Sequence, residues 1–352
     1  MTDPIDIKKT QNIYRPFQSK PIKDLDDNFR DFNSEEVYEC LSKYSNETTG
    51  HWFRLQQAWC NNAYNTFKDY DTYLIQVYLV SQVFKKYSDR FQYLNMDEFY
   101  AKEQLAIDKI NLIEISQELK IPKETIRRKT NFLQEKKIIY RDGKTIYFDN
   151  QNLNNSQRPI RSKALLAAFL EKNGLILSKE SWFGEVVTQK EIEKFITDYF
   201  TVCWQHWFRM QIPFLVRARQ FFGDLETWNV WGAIGISQYT DFSKTLREKV
   251  EHDARDYNDL YLRLIRHTPK CGINASSISE ISSIPRATVI RKLKYLLKQK
   301  LITKNNKLEY MLLASGRNVK YFEENYVENQ KYKAAFVTTM FDLMKNSNFK
   351  IK

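Results

Sequence analysis

An internal duplication constrains this chain more than any other feature. His51-Trp52-Phe53-Arg54-Leu55-Gln56 recurs as His206-Trp207-Phe208-Arg209-Met210-Gln211, displaced by 155 residues. Asp69-Tyr70-Asp71-Thr72-Tyr73 matches Asp224-Leu225-Glu226-Thr227-Trp228 at the same displacement, and Ser81-Gln82 matches Ser237-Gln238 one residue later. A third block, Ile121-Pro122-Lys123-Glu124-Thr125-Ile126-Arg127-Arg128-Lys129, matches Ile284-Pro285-Arg286-Ala287-Thr288-Val289-Ile290-Arg291-Lys292 at a displacement of 163. Three blocks in one order, using two of only four histidines, are not coincidence, and the spacing is that of a domain rather than a short solenoid unit. The chain therefore reads as two homologous halves, 1–155 and 156–352. The boundary falls in the Asn/Gln/Ser-rich stretch 150–159, which has the composition of a linker.

The chain has 352 residues, 42% hydrophobic and 28% charged, with 23 Phe, 21 Tyr and 7 Trp, which is the balance of a folded globular protein. Only nine Gly and eight Pro leave little material for Gly-rich phosphate loops or for the turns of a β-sandwich, so helix should dominate. The first 20 residues carry no apolar segment, and the longest apolar stretches, 73–84 and 230–236, fall short of the ~20 residues that cross a bilayer. No membrane contact and a cytoplasmic location are expected. Cys40, Cys60, Cys203 and Cys271 are far apart and show no CxxC or CxxH spacing, so neither zinc nor a disulfide framework is indicated. HExxH, GxSxG and P-loop patterns are missing too, and the expectation is a protein that is not an enzyme and uses no cofactor.

The third block sits in a recognisable local pattern. Residues 113–119 have apolar side chains at helical spacing, a tight turn follows at Lys120-Ile121, and Pro122 suits the first position of a second helix with Ile126 and Leu133 inward. Two short helices joined by a tight turn make a helix-turn-helix. The run 138–148 then places two β-prone segments around Asp142-Gly143, a strong hairpin signal, and hence a wing. In the second half, 278–282, 285–298 and 301–311 repeat the order around Asn305-Asn306. The fold class is accordingly mainly α with small β-hairpin wings: two winged helix-turn-helix halves, with winged modules at about 97–149 and 256–313, packed through long helices.

Charge concentrates in these modules. Residues 115–149 hold nine Lys/Arg against five Asp/Glu, and 278–312 hold eight against two, so 70 residues carry +10 of the chain's net +12. Such concentration fits phosphate contact, where bound cations release counterions from DNA. On the second helix of each module, Lys123, Thr125, Arg127, Arg128 and Asn131, and likewise Arg286, Thr288, Arg291 and Lys294, fall away from the apolar stripe. These are the expected groove-facing residues, with Arg able to grip guanine and Thr to bond phosphate or touch a thymine methyl. Arg141, Lys144, Lys304 and Lys307 on the wings should reach the backbone or minor groove. Thr130 occupies the slot that apolar Leu293 fills in the second copy, which predicts a less well packed first module.

On these residues the chain resembles the winged-helix transcription regulators, and the run from Ile284 to Leu293 is similar to a recognition helix of the MarR type. Leu312-Leu313-Ala314-Ser315-Gly316-Arg317 is similar to that family's passage from wing to last helix. The resemblance covers about 60 residues per half. It implies helices that pair two subunits about a two-fold axis, and with the duplication a single-chain pseudo-dimer that uses terminal helices such as 164–171 and 331–344 to pack together. The chain would act as that monomer or as a homodimer. The expected function is a sequence-specific, double-stranded DNA-binding transcriptional regulator on an imperfect inverted repeat.

The aromatic blocks have two readings. His51, Trp52, Arg54, His206, Trp207 and Arg209 line a small-molecule effector pocket, by family analogy, or form a helix interface; helical spacing of Trp52, Phe53, Trp59, Tyr64 and Phe67 favours the interface. His51/Arg54 and His206/Arg209 are expected to form a buried polar network across the two halves. Competing functional classes are a plasmid or phage replication initiator with two winged-helix domains, which would bind direct repeats, and a winged-helix scaffold that binds no DNA.

Overall fold

The chain, described here by a computed structural model over residues 33–107, 111–143, 145–150, 160–182, 186–248, 256–269 and 272–347, is mainly helical with two small antiparallel sheets. Side-chain caps start several of the helices. The Asn33 side chain accepts from Glu35 N to open α1 (Ser34–Lys43), whose acidic first turn and Lys43 in the last suit the helix dipole. Lys68 in the left-handed conformation stops α2 (Ser45–Phe67), and Asp69 then caps α3 (Tyr70–Asp89). A reciprocal Asn95/Glu98 capping box opens α4 (Met96–Ala101). There follow β1 (Gln104–Ile107), α5 (Leu112–Leu119), α6 (Lys123–Glu135), β2 (Ile139–Asp142), β3 (Thr145–Asp149) and α7 (Ile160–Lys179).

Many of the later elements repeat these lengths. They are α8 (Gln189–Asp198), α9 (Phe200–Phe222), α10 (Leu225–Glu248), α11 (Tyr257–Arg266), α12 (Ala275–Ser282), α13 (Arg286–Lys298), β4 (Ile302–Lys304), β5 (Tyr310–Leu312), α14 (Gly316–Tyr321), and a π-helical turn at Phe322–Tyr326 leading into α15 (Val327–Asn346). Both α1 and α8 have 10 residues, α2 and α9 have 23, α5 and α12 have 8, α6 and α13 have 13, and α7 and α15 have 20.

Packing interleaves the elements. Helix α7 lies along α2 and reaches across to α8, while α15 lies along α9 and reaches across to α1; α3 packs on α9. The terminal helices 164–171 and 331–344 touch each other only briefly, and each spans helices from both parts of the chain. Trp52, Trp207, Phe169, Phe195 and Phe222 are among the fully buried side chains at the centre. At roughly 25 cal/mol per Å² and 150–250 Å² per ring, each contributes several kcal/mol of gross burial.

Three details depart from the sequence reading. Strand β1 was not expected; it pairs Gln104 with Asp149 through Ile107 with Ile146, so the first sheet is three-stranded in the order β1-β3-β2, whereas the second keeps only a bridge between Ile273 and Tyr310 beside β4-β5. Asn150 is no linker residue: it is fully buried and its Nδ2 donates to the carbonyls of Phe99 and Lys102, each at 2.8 Å. The rest of the expected linker, 151–159, lies outside the described residues. Pro122 and Pro285 stand one residue before their helices, because ψ of 135° and 137° holds both extended.

Candidate nucleic-acid interface

Helices α5 and α6 are joined through Lys120, and α12 and α13 through Ser283, both left-handed with φ of 51° and 58°. Ser116 Oγ donates to the Ile121 carbonyl and Ser279 Oγ to that of Ile284, both at 2.6 Å, so the two turns are closed by the same bond. Ile126, Thr130 and Leu133 point inward from α6, as Val289, Leu293 and Leu296 do from α13. Thr130 fits its slot because its hydroxyl donates to Ile126 O at 2.8 Å, which satisfies the one polar atom that Leu293 lacks.

Two lysines missed at the sequence level orient these second helices. Lys129 forms an ion pair with Asp69, and Lys292 with Asp224 at 2.5 Å, so α6 is tied to the start of α3 and α13 to the start of α10. Asp69 also accepts from Asp71 N and Thr72 Oγ1, and Asp224 from Thr227 N and Thr227 Oγ1. Both lysines sit in the duplicated block and both aspartates in another, and that double recurrence was the available signal.

Each helix-turn-helix is also clamped from the far half of the chain. Arg219 of α9 donates to both carboxylate oxygens of Asp71, at 2.9 and 3.1 Å, and to the Lys120 carbonyl at 3.2 Å, at the end of α5. Gln57 and Asn61 of α2 donate from the first half to Ile281 O at 2.9 and 2.8 Å, and Asn229 of α10, within the same half, donates to Ser282 O at 3.1 Å, at the end of α12. Carbonyls that a helix terminus leaves open are thereby satisfied across the molecule.

The electrostatics of the two ties differ. Burial pushes the Asp224 carboxyl up, but the hydrogen bonds from Lys292 and Thr227 outweigh it and hold the group below its ordinary value. Glu226, two residues on, is pushed up to about 7 by burial and by the charge of Asp224. Its counterpart Asp71 has Arg219; the position matching Arg219 beside Glu226 holds Tyr64.

The outward face carries the expected residues. Lys123, Arg127, Arg128 and Asn131 are exposed on α6, and Arg286, Arg291 and Lys294 on α13, with Thr125 and Thr288 half-buried beside them. Arg127 is held by Glu124 at 2.6 Å, one turn away, and Arg286 Nε donates to Ser276 Oγ at 3.2 Å. Arg141 is exposed and folds onto the first wing, donating to Gly143 O at 3.0 Å where Gly143 takes φ of 56°. Lys144 lies outside the described residues, and Lys304 and Lys307 are exposed on the second wing. That wing does not turn on two residues. Lys304 pairs with Tyr310, leaving a five-residue loop in which Asn305 Oδ1 accepts from Lys307 N and Glu309 N, each at 3.0 Å.

The His-Trp-Phe-Arg blocks meet in the core. Trp52 and Trp207 are fully buried with ring centroids 6.5 Å apart. The contacts Trp52–Phe214 and Trp59–Trp207, at 6.0 and 5.3 Å, exchange under the 155-residue displacement. Gln56 Nε2 donates to Gln211 Oε1 at 2.9 Å and Gln211 Nε2 donates back to Gln56 Oε1 at 2.9 Å. This glutamine pair replaces the expected His/Arg network. His51 and His206 lie on the solvent flank of their helices, half-buried, and Arg54 and Arg209 are exposed; Arg54 donates to its own helix at Gly50 O, 3.3 Å. Burial and then the neighbouring arginine hold both imidazoles below the ordinary histidine value, His206 at about 4. The recess beside Trp52, with Phe53, Gln56, Trp228, Trp231 and Tyr261, encloses about 60 Å³, room for a few waters, whereas His51 and Arg54 line a separate open groove of about 860 Å³ with Phe53, Leu165, Lys172 and Tyr239. Trp207 lines neither.

Among the described residues no group of three or more His, Cys, Asp or Glu is arranged to hold a metal, and no helix is long and apolar enough to cross a membrane. The chain matches no protein-family model, no curated protein and no solved structure.

Proposed function

We propose that this protein is a sequence-specific double-stranded DNA-binding transcriptional regulator: two winged helix-turn-helix halves in one chain, acting as a pseudo-dimer on an imperfect inverted repeat. The observation that carries the reading is the matched pair of 13-residue second helices, each tied by the same Lys–Asp contact and each turning arginine, lysine and threonine outward. Cations on an exposed helix edge are what phosphate neutralisation needs, and Arg128 and Arg291 have the fork geometry for guanine O6 and N7. The reciprocal Gln56–Gln211 bonds support a two-fold relation, since in such an interface residue i meets j and j meets i. Two helices so related read the two strands in opposite senses, hence an inverted repeat. The halves differ at Lys123/Arg286, Arg127/Ile290 and Asn131/Lys294, so the half-sites differ as well.

The test is duplex affinity at two salt concentrations for the full chain and for Arg128→Ala and Arg291→Ala. Each substitution is expected to cost about 1–3 kcal/mol and to relax sequence preference in one half-site only. Affinity that ignores salt, or single variants that leave binding unchanged, would overturn the proposal.

A further inference from the structure

The second wing holds a residue that its backbone disfavours. Leu308 takes φ of 61° at the loop tip, in the left-handed region where a branched, bulky side chain is a steric outlier and where glycine or asparagine is at ease. The loop enforces this conformation. Asn305 accepts from Lys307 N and Glu309 N, its Nδ2 donates to Glu309 Oε2 at 2.7 Å, and Leu308 N donates back to Asn305 O at 3.1 Å. The leucine gains no burial in return, for it remains 59% exposed. A strained, unburied apolar side chain contributes nothing evident to the fold. Its neighbours Lys304 and Lys307 are exposed cations on the same hairpin end. The first wing ends differently: Asp142 pairs with Thr145, and the sequence between them is only Gly-Lys, with no apolar residue.

We infer that Leu308 is a wedge: it enters a base step from the minor groove while Lys304 and Lys307 bond the flanking phosphates, so the second half kinks its DNA and the first does not. An exposed aliphatic side chain beside Lys307 and Lys304 suits that role, because base planes are apolar, the groove edge is anionic, and partial unstacking by an inserted Leu, Phe or Ile bends the duplex. The inference rests on the DNA-binding reading above and goes beyond it in assigning the deformation and the half-site where it occurs.

The test uses the full chain, a duplex it binds carrying 2-aminopurine at successive steps beneath the second wing, and donor and acceptor dyes at the duplex ends. With the unsubstituted protein, 2-aminopurine fluorescence should rise at one step in one half-site, and energy transfer should report a bend. Leu308→Gly removes the wedge and relieves the backbone, so its melting temperature should hold or rise while affinity falls roughly tenfold and both signals vanish. Leu308→Met keeps an apolar wedge and should retain both signals. Leu308→Gly that binds and bends DNA like the parent, or that melts at lower temperature, overturns the inference while the DNA-binding reading stands. A parent chain that binds no duplex removes both.

Discussion

Lys333 of α15 is fully buried, and its amine has no hydrogen-bond partner among the described residues, lying 3.9 Å from the ring centroid of Tyr257 and 5.7 Å from that of Trp52. Burial holds it well below the usual lysine range, which favours the neutral amine. The unfolded chain takes up a proton there below its ordinary value of 10.5 more readily than the folded chain does, so stability is lost as pH falls below that value. The same turn of α7 carries Leu166, also buried. Lys333→Met should therefore stabilise the protein at pH 7 by about 1–3 kcal/mol, with the gain shrinking towards pH 11. Urea unfolding at the two pH values reads this directly, and destabilisation at both would contradict it. At this scale much was legible. The Ile126/Leu133 and Val289/Leu293/Leu296 stripes fixed the phase of both second helices, which put Arg128 and Arg291 outward. Lys129 and Lys292 were not, because their partners lie 60 and 68 residues away and only the folded chain brings them together.

Helix starts carry the next level of control. Where α3 begins, Asp69 and Asp71 are matched by Lys129 and Arg219; where α10 begins, Asp224 has Lys292 and Glu226 has no arginine. Burial and the charge of Asp224, with no arginine to offset them, push the Glu226 carboxyl up to about 7 in the folded state, against 4.5 unfolded. The folded chain binds more protons across that window, so stability falls as pH rises from about 4.5 to 7. Glu226→Gln should flatten that slope and raise stability above pH 7 by roughly 1–2 kcal/mol, measurable by thermal melts across the pH range. A variant whose melting temperature still falls in parallel with the parent's would exclude Glu226 as the cause. Helix-turn-helix and hairpin were readable because apolar period, proline and Asp-Gly are local signals. Strand β1 was not, since its four residues gain their partner only when β3 arrives. The second wing was misread as an Asn-Asn turn because its loop is set by Asn305 bonding over four residues rather than by a dipeptide.

In the whole molecule, two of the duplicated blocks fall on helices of matching length, α2 with α9 and α6 with α13, but the blocks do not show how the helices interleave. The reciprocal Gln56–Gln211 bonds, Arg219 on the turn of α5 and α6, and Gln57 and Asn61 on that of α12 and α13 are all contacts between distant stretches of chain. Sequence alone put a linker at 150–159 and assigned the polar cross-contact to His51 and His206; the fold buries Asn150 and chooses the glutamines, because helix phase turns the histidines to the flank. On the proposed function, these cross-chain bonds would hold α6 and α13 at one spacing, as reading two half-sites requires. The most direct measurement is selection of bound duplexes from a random pool by the full chain, followed by sequencing. The account predicts an imperfect inverted repeat with half-site centres about one helical turn apart. A direct repeat, or no enrichment at all, would contradict it.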